Sequence, residues 1–256
     1  MRGLARKSTI AASAALLWTS VAFAQEQVGQ ATLIKTAVTG PSGPLAVKSP
    51  VFRDERITTS QSGLGEFLFR DGTKFAVGGG SSVVLDRFVF DDAKTFNQLT
   101  LKAARGSFRW ISGKSKSQAY EIVTPAGTIG VRGTKFDFSV EETTGKTVVV
   151  LLDGAANFCG PSGCVELRRR CDVIVATPGG GVSDPSRVNR KIFQTAGSDN
   201  ALPFLSGRQR LTRSFYGFAS GSCGLGGQRA GINRMGPSGA DRPERPKAAA
   251  GYGNSG

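Results

Sequence analysis

The chain has 256 residues, 39% of them hydrophobic and 8% aromatic, with 35 glycines, which suits one or two domains and a core of moderate size. It contains no histidine, and that excludes Ser-His-Asp triads, histidine acid–base pairs and histidine-ligated zinc or haem. The formal charge of +14 would point to nucleic acid or an anionic surface, but residues 187–256 hold 11 basic against 3 acidic side chains, while residues 25–186 hold 19 against 16.

In chain order, residues 1–24 read as a secretory signal peptide. Arg2, Arg6 and Lys7 form a positive start, Ile10 to Val21 an apolar run, and Ala22-Phe23-Ala24 a small-x-small cleavage site. The run is about a dozen residues, short of the roughly 20 that a membrane span needs. The mature chain is expected to begin at Gln25 and to be periplasmic or secreted, with no integral membrane span.

From Val28 to Val175, short β-type runs alternate with glycine turns, and no segment sustains a helical period. In Lys135 to Val140, Phe136, Phe138 and Val140 share one face and Lys135, Asp137 and Ser139 the other. Glu66 to Phe69 and Ser107 to Trp110 alternate similarly. Val148 to Leu152 is continuously apolar, as in a strand covered on both faces. Turns are expected at Asp71-Gly72, Arg105-Gly106, Thr144-Gly145-Lys146 and Asp153-Gly154. The pattern predicts an all-β fold, a compact β-roll or sandwich-like domain of many short strands over residues 25–182.

Pro178 to Gly181 reads as a hinge. Ser183-Asp184-Pro185 offers a helix cap followed by proline, predicting a short helix with Val188 and Ile192 on one face. Residues 183–256 are thus expected as a basic short helix and a largely disordered, Gly/Arg-rich flexible tail, with disorder from about Gly221.

The four cysteines all fall in the exported portion, where an even count argues for disulfides. Three connectivities are open. Cys159 and Cys164 bracket the turn Gly160-Pro161-Ser162-Gly163, which favours their pairing and leaves Cys171 with Cys223. A four-thiolate metal site would require paired C-x-x-C units, which are absent. Gly113-Lys114-Ser115 ends like a phosphate-binding loop, but Phe108 stands where its first glycine belongs. Gly78 to Ser82 reads as a loop between strands. Glycines 127, 130 and 133 fall three apart, which suggests bends where another backbone approaches closely. Arg132 among them is predicted to fork onto turn carbonyls or onto Asp71 or Asp153, with an anion site as the alternative. Arg109, on an alternating strand, joins Arg132 and Asp71 as a candidate ligand contact or structural fork.

Four motifs in order carry a family resemblance: Val51 to Thr59, Phe69-Arg70-Asp71-Gly72-Thr73, Gly106 to Gly113, and Ile122 to Thr134. Over about residues 28–175 the chain resembles the FecR-type extracytoplasmic domain of Gram-negative bacteria. The resemblance implies an all-β periplasmic domain with no known catalysis. In iron-transport regulators that domain is joined to a membrane helix and a cytoplasmic anti-sigma segment, and it senses an outer-membrane transporter. Here only a signal peptide is read before it, so the expectation is a stand-alone, non-enzymatic binding, sensing or protein-interaction module. Its expected partners are an envelope protein, a peptide or an anionic glycan, and neither nucleic acid, cofactor, metal nor catalytic residue is expected. Two alternatives remain open. One is an envelope polysaccharide-modifying hydrolase using a carboxylate pair from Asp91 and Asp92 with Glu141 and Glu142, although adjacent carboxylates on a strand face opposite ways. The other is a periplasmic component of sigma-factor or iron-uptake signalling.

Overall fold

The computed structural model describes residues 26–90, 95–198, 200–216 and 223–225. Residues 1–24, read above as a signal peptide, Asp91 and Asp92, and the tail beyond Leu225 lie outside the described residues. Among the described residues, fifteen strands form one sheet. They are β1 (Gln27–Lys35), β2 (Val38–Gly40), β3 (Gly43–Pro44), β4 (Pro50–Phe52), β5 (Glu55–Thr59), β6 (Leu64–Phe69), β7 (Lys74–Val77), β8 (Ser82–Phe90), β9 (Phe96–Ile111), β10 (Tyr120–Thr124), β11 (Gly127–Val140), β12 (Thr147–Gly160), β13 (Gly163–Leu167), β14 (Asp172–Ala176) and β15 (Ser186–Arg187).

Three long strands roll this sheet, because each changes partners midway. The first half of β9 lies between β8 and β10, the latter parallel to it, while its second half lies between β7 and β11. The bend falls at Gly106, whose φ of 108° is open to glycine and strained for other residues. In β12, Val148 to Val150 pair with β14, whereas Ala156 to Gly160 pair with β13. Between these halves Gly154, with φ 78°, sits against the Gly133 carbonyl, where the β11–β12 register shifts. Two sequence expectations are corrected here. Arg105-Gly106 and Asp153-Gly154 are bends inside continuous strands and do not reverse the chain. The reversals at Asp71-Gly72 and Gly145 stand, as does the close backbone approach at Gly127, whose Cβ position is occupied by the Cys159 carbonyl; at Gly130 the neighbour is the Asn157 side chain, and a Cβ at Gly133 would meet no neighbouring backbone.

Inside the roll, Phe67, Phe75, Phe108, Trp110, Phe136, Phe138 and Phe158 are fully buried in one cluster. Phe75 and Phe108 stack at 5.7 Å, and Phe108 and Phe138 at 4.8 Å. The outer face of the sheet is buried as well. Val148, Val150 and Leu152 alternate outward from β12 into a second cluster with Val173, Val188, Ile192, Ala196, Leu202 and Leu205. A third cluster sets Leu64 and Ala76 against Phe204, Leu211 and Phe215. The apolar run of β12 is therefore covered on both faces, as its sequence predicts.

The cover is the segment after β14, and it departs from the predicted helix. Ser183 does not cap a helix; its Oγ accepts the Val175 N–H at 3.0 Å. Ser186 and Arg187 then pair with β14, and the Val188 N–H reaches the Cys171 carbonyl at 2.9 Å. The free edge of β14 offers backbone partners that a helix starting at Ser183 would forgo. Helical turns come later and are short: α1 (Ile192–Thr195), α2 (Pro203–Ser206) and α3 (Arg213–Tyr216). The last residue of α2 is followed by Gly207 in the left-handed conformation, a common helix stop. Cys159 is bonded to Cys164 across the β12–β13 hairpin, and Cys171 to Cys223.

Candidate interaction site

Register aligns four outward-facing residues across the sheet. Glu66 on β6 faces Ala76 on β7, Ala76 faces Arg109 on β9, and Arg109 faces Asp137 on β11. Each is buried, although three carry charges. Arg109 donates through Nε and Nη2 to the two Asp137 carboxylate oxygens at 2.5 and 2.8 Å, the two-pronged geometry that suits guanidinium to carboxylate. Its remaining nitrogen, Nη1, is buried and has no hydrogen-bond partner among the described residues. The Phe204 and Tyr216 rings lie 5.7 Å from the guanidinium carbon, so the covering segment meets the cation with aromatic faces. Glu66, in turn, accepts the Thr212 N–H at 2.7 Å and the Thr212 hydroxyl at 2.6 Å. One row below, the Ser107 hydroxyl donates to the Ala201 carbonyl at 2.8 Å.

The residues that cover this face, 200–216, thus form a strap fastened by polar contacts at Ala201 and Thr212, with Phe204 and Leu211 packed between them and Phe215 beyond. Burial drives the Asp137 carboxyl up and the Arg109 guanidinium draws it back, leaving it above the ordinary carboxylate value. For Arg109, burial works against the charge, but Asp137 more than offsets it, so the guanidinium stays charged.

A second polar knot is buried on the other side of β7. Asp71 accepts the Tyr120 hydroxyl at 2.6 Å, the Ser115 hydroxyl at 2.9 Å, the Thr73 hydroxyl at 2.9 Å and the Thr73 N–H at 2.8 Å. Burial first, and the bond to Asp71 second, push the Tyr120 hydroxyl up to about 12. A Cβ at position 113 would press on the Asp71 carbonyl and the Thr73 amide. Gly113 and Ser115 therefore serve this knot.

Of the three residues singled out by sequence, the structure brings none together. Arg109 is a fork, but its partner is Asp137, which the sequence did not nominate. Asp71 is held by hydroxyls and a backbone amide. The fork expected of Arg132 is corrected: its side chain is 69% exposed and the carboxylate within reach is Glu166 at 3.9 Å, with neither Asp71 nor Asp153 as partner. Glu66, Asp137 and Thr212 were missed. The available signal was opposite charge on alternating strands, Arg109 beside Trp110 and Asp137 between two phenylalanines. Of the proposed carboxylate pair, Glu141 accepts the Thr144 hydroxyl and then the Thr144 and Thr143 N–H groups in its own turn, which holds it below the usual value, and Glu142 pairs with Arg105 at 2.6 Å.

Along the strap runs an open cleft of about 200 Å³, lined by Gln61, Gly79, Gly80, Ser139, Glu141 and Asn200. It adjoins a second hollow, which shares Gln61, Gly79 and Asn200 and reaches Arg208 and Gln209. Gln209 stitches the strap to this rim, accepting the Gly79 N–H and donating to the Gly63 carbonyl. Among the described residues, no group of three or more acidic or cysteine side chains is placed to hold a metal ion, and no helix is long and apolar enough to cross a membrane.

Residues 55–157 match the family described as FecR protein. No curated protein matches it. Two crystal structures of a "putative anti-sigma factor" from Parabacteroides distasonis ATCC 8503 are similar, at 13% identity and TM-scores of 0.42 and 0.43. The similarity covers 53% of this chain and 61% of the solved one, so the chain spans less than two thirds of that protein's length.

Proposed function

We propose, from the match at residues 55–157, that this chain is a non-enzymatic protein-interaction module of an envelope signalling system, exported by a cleaved signal peptide. The FecR match carries the reading. Export is supported by the signal-like residues 1–24 and by two disulfides, which persist in oxidising compartments. The hydrolase alternative has less support: Glu141 and Glu142 are engaged in a turn and an ion pair, each with its own partner. The cleft beside the strap, with a polar rim of Gln61, Ser139, Glu141 and Asn200, suits a peptide segment more than a small apolar ligand.

In vivo cross-linking of the tagged full chain in its own cells tests this reading. One envelope protein should be recovered reproducibly, and deleting the gene should shift the transcripts of one sigma-factor regulon. Loss of both signals would overturn it, as would release of reducing ends from envelope polysaccharide that disappears with Glu141→Gln or Glu142→Gln. Mass spectrometry of the mature protein should find Gln25 at the N-terminus.

A further inference from the structure

Outside the FecR stretch, a basic corner stands apart from everything described so far. The β13–β14 connection is Arg168-Arg169-Arg170-Cys171, and all three arginines are exposed. Pairing of β14 with β15 sets Arg187 opposite Asp172, and its guanidinium reaches the Arg170 carbonyl at 3.4 Å. Arg190 and Lys191, also exposed, follow within four residues. Six cations therefore share one corner.

The acids nearby do little to neutralise it. Asp172 is 4% exposed and spends its carboxylate on the Arg168 and Arg169 amides at 3.4 and 2.9 Å, with the Arg169 Nε at 3.6 Å. Glu166 serves Arg168 at 2.6 Å and Arg132 at 3.9 Å. Asp184 lies across a shallow hollow from Arg187 and Lys191 without pairing with either. Among the described residues, no carboxylate lies within 4 Å of a side-chain nitrogen of Arg170, Arg187, Arg190 or Lys191. Holding like charges together in this way raises the local positive potential, and a rigid loop keeps them from separating.

We infer that this corner docks onto a phosphate-bearing anionic membrane surface. The occupant follows from the geometry. Arginine forks match phosphate oxygens, but guanidinium groups at 75 and 79% side-chain exposure are too well hydrated to hold a single small anion. A plane of many phosphates engages several of them at once, foremost the four without a carboxylate partner, and each basic side chain near such a surface contributes roughly fivefold in affinity. The Cys171–Cys223 bond adds continuity: it fixes at this corner the origin of a sequence that goes on to Arg229, Arg234, Arg242, Arg245 and Lys247. The inference is independent of the proposed partner, because the corner lies outside residues 55–157.

Vesicle sedimentation with the full chain tests it, comparing phosphatidylcholine alone with phosphatidylcholine plus phosphatidylglycerol. Binding should require the anionic lipid and weaken as salt rises to about 0.15 M. The triple variant Arg170→Gln, Arg187→Gln, Arg190→Gln should lose roughly a hundredfold in affinity. A charge-matched control, Lys35→Gln, Lys114→Gln, Lys116→Gln, should lose less than roughly fivefold. Unaltered melting temperatures establish that both variants are folded. Equal losses in the two variants would reduce the effect to net charge and overturn the inference. So would displacement by millimolar inorganic phosphate at matched ionic strength, which would mark a free-anion site. Binding that survives the triple variant but vanishes when the five tail cations become glutamine would assign it to the tail and also overturn it.

Discussion

Burial separates arginines that look alike in sequence. Arg109→Ala would strand the Asp137 carboxylate in a dry interior, and breaking such a pair from one side costs about 3–5 kcal/mol. Arg132→Ala removes an exposed contact at 3.9 Å and should change stability by no more than about 0.5 kcal/mol. Denaturant titration of the two variants checks both, and equal losses would contradict the assignment. Tyr120 supplies a prediction in pH. Its hydroxyl is raised to about 12 in the fold against 10.0 unfolded, so between those values the unfolded chain has lost a proton that the folded chain keeps. Stability is therefore intact below pH 10 and falls as pH rises toward 12, by at most about 2–3 kcal/mol. Tyr120→Phe should abolish that slope in melting curves. The sequence marks Arg109 and Asp71 as residues of interest, because each is a charge set among apolar or turn residues. It does not show that Asp137 answers Arg109 from 28 residues away. That pairing depends on strand register, which alternation leaves open.

At the level of elements, alternation and glycine punctuation locate most of the strands but misread two bends as reversals. Gly106 and Gly154 adopt the positive φ that a turn would need, and local composition cannot separate a turn from a bulge. Gly106→Ala would push a Cβ into Ser81, just before β8, while straining φ, and a loss of about 2–4 kcal/mol is expected in thermal unfolding. The strap was less legible. Residues 200–216 have turn-like composition with scattered Phe204, Leu211 and Phe215, a pattern with no period. Those side chains find their partners on the outward faces of β6 and β7, and Asp137 reads as part of a polar face for the same reason: the rings over its Arg109 partner come from far along the chain. Phe204→Ala should cost about 3–5 kcal/mol, the range for a fully buried aromatic ring. Little change in its denaturation midpoint would mean that the strap is not part of the stable fold.

For the whole molecule, the two disulfides close very different loops. Cys171 and Cys223 are 52 residues apart and Cys159 and Cys164 only 5. Chain entropy then assigns about 4 kcal/mol to the first bond and about 2 kcal/mol to the second. Calorimetry of Cys171→Ser/Cys223→Ser against Cys159→Ser/Cys164→Ser should preserve that order. Both pairings are legible from the turn between Cys159 and Cys164 and from elimination, whereas the reach of the C-terminal segment over the sheet is not.

The bond from Thr212 to Glu66 also sets a clock. Glu66 leaves the ribosome 146 residues ahead of Thr212, and at about 5–20 residues per second that is an interval of roughly 7–30 s. On the export route proposed above the chain folds only after leaving the cytoplasm, so through this interval it must be kept from folding around Glu66, Arg109 and Asp137 while the side chains that will cover them are still to be made.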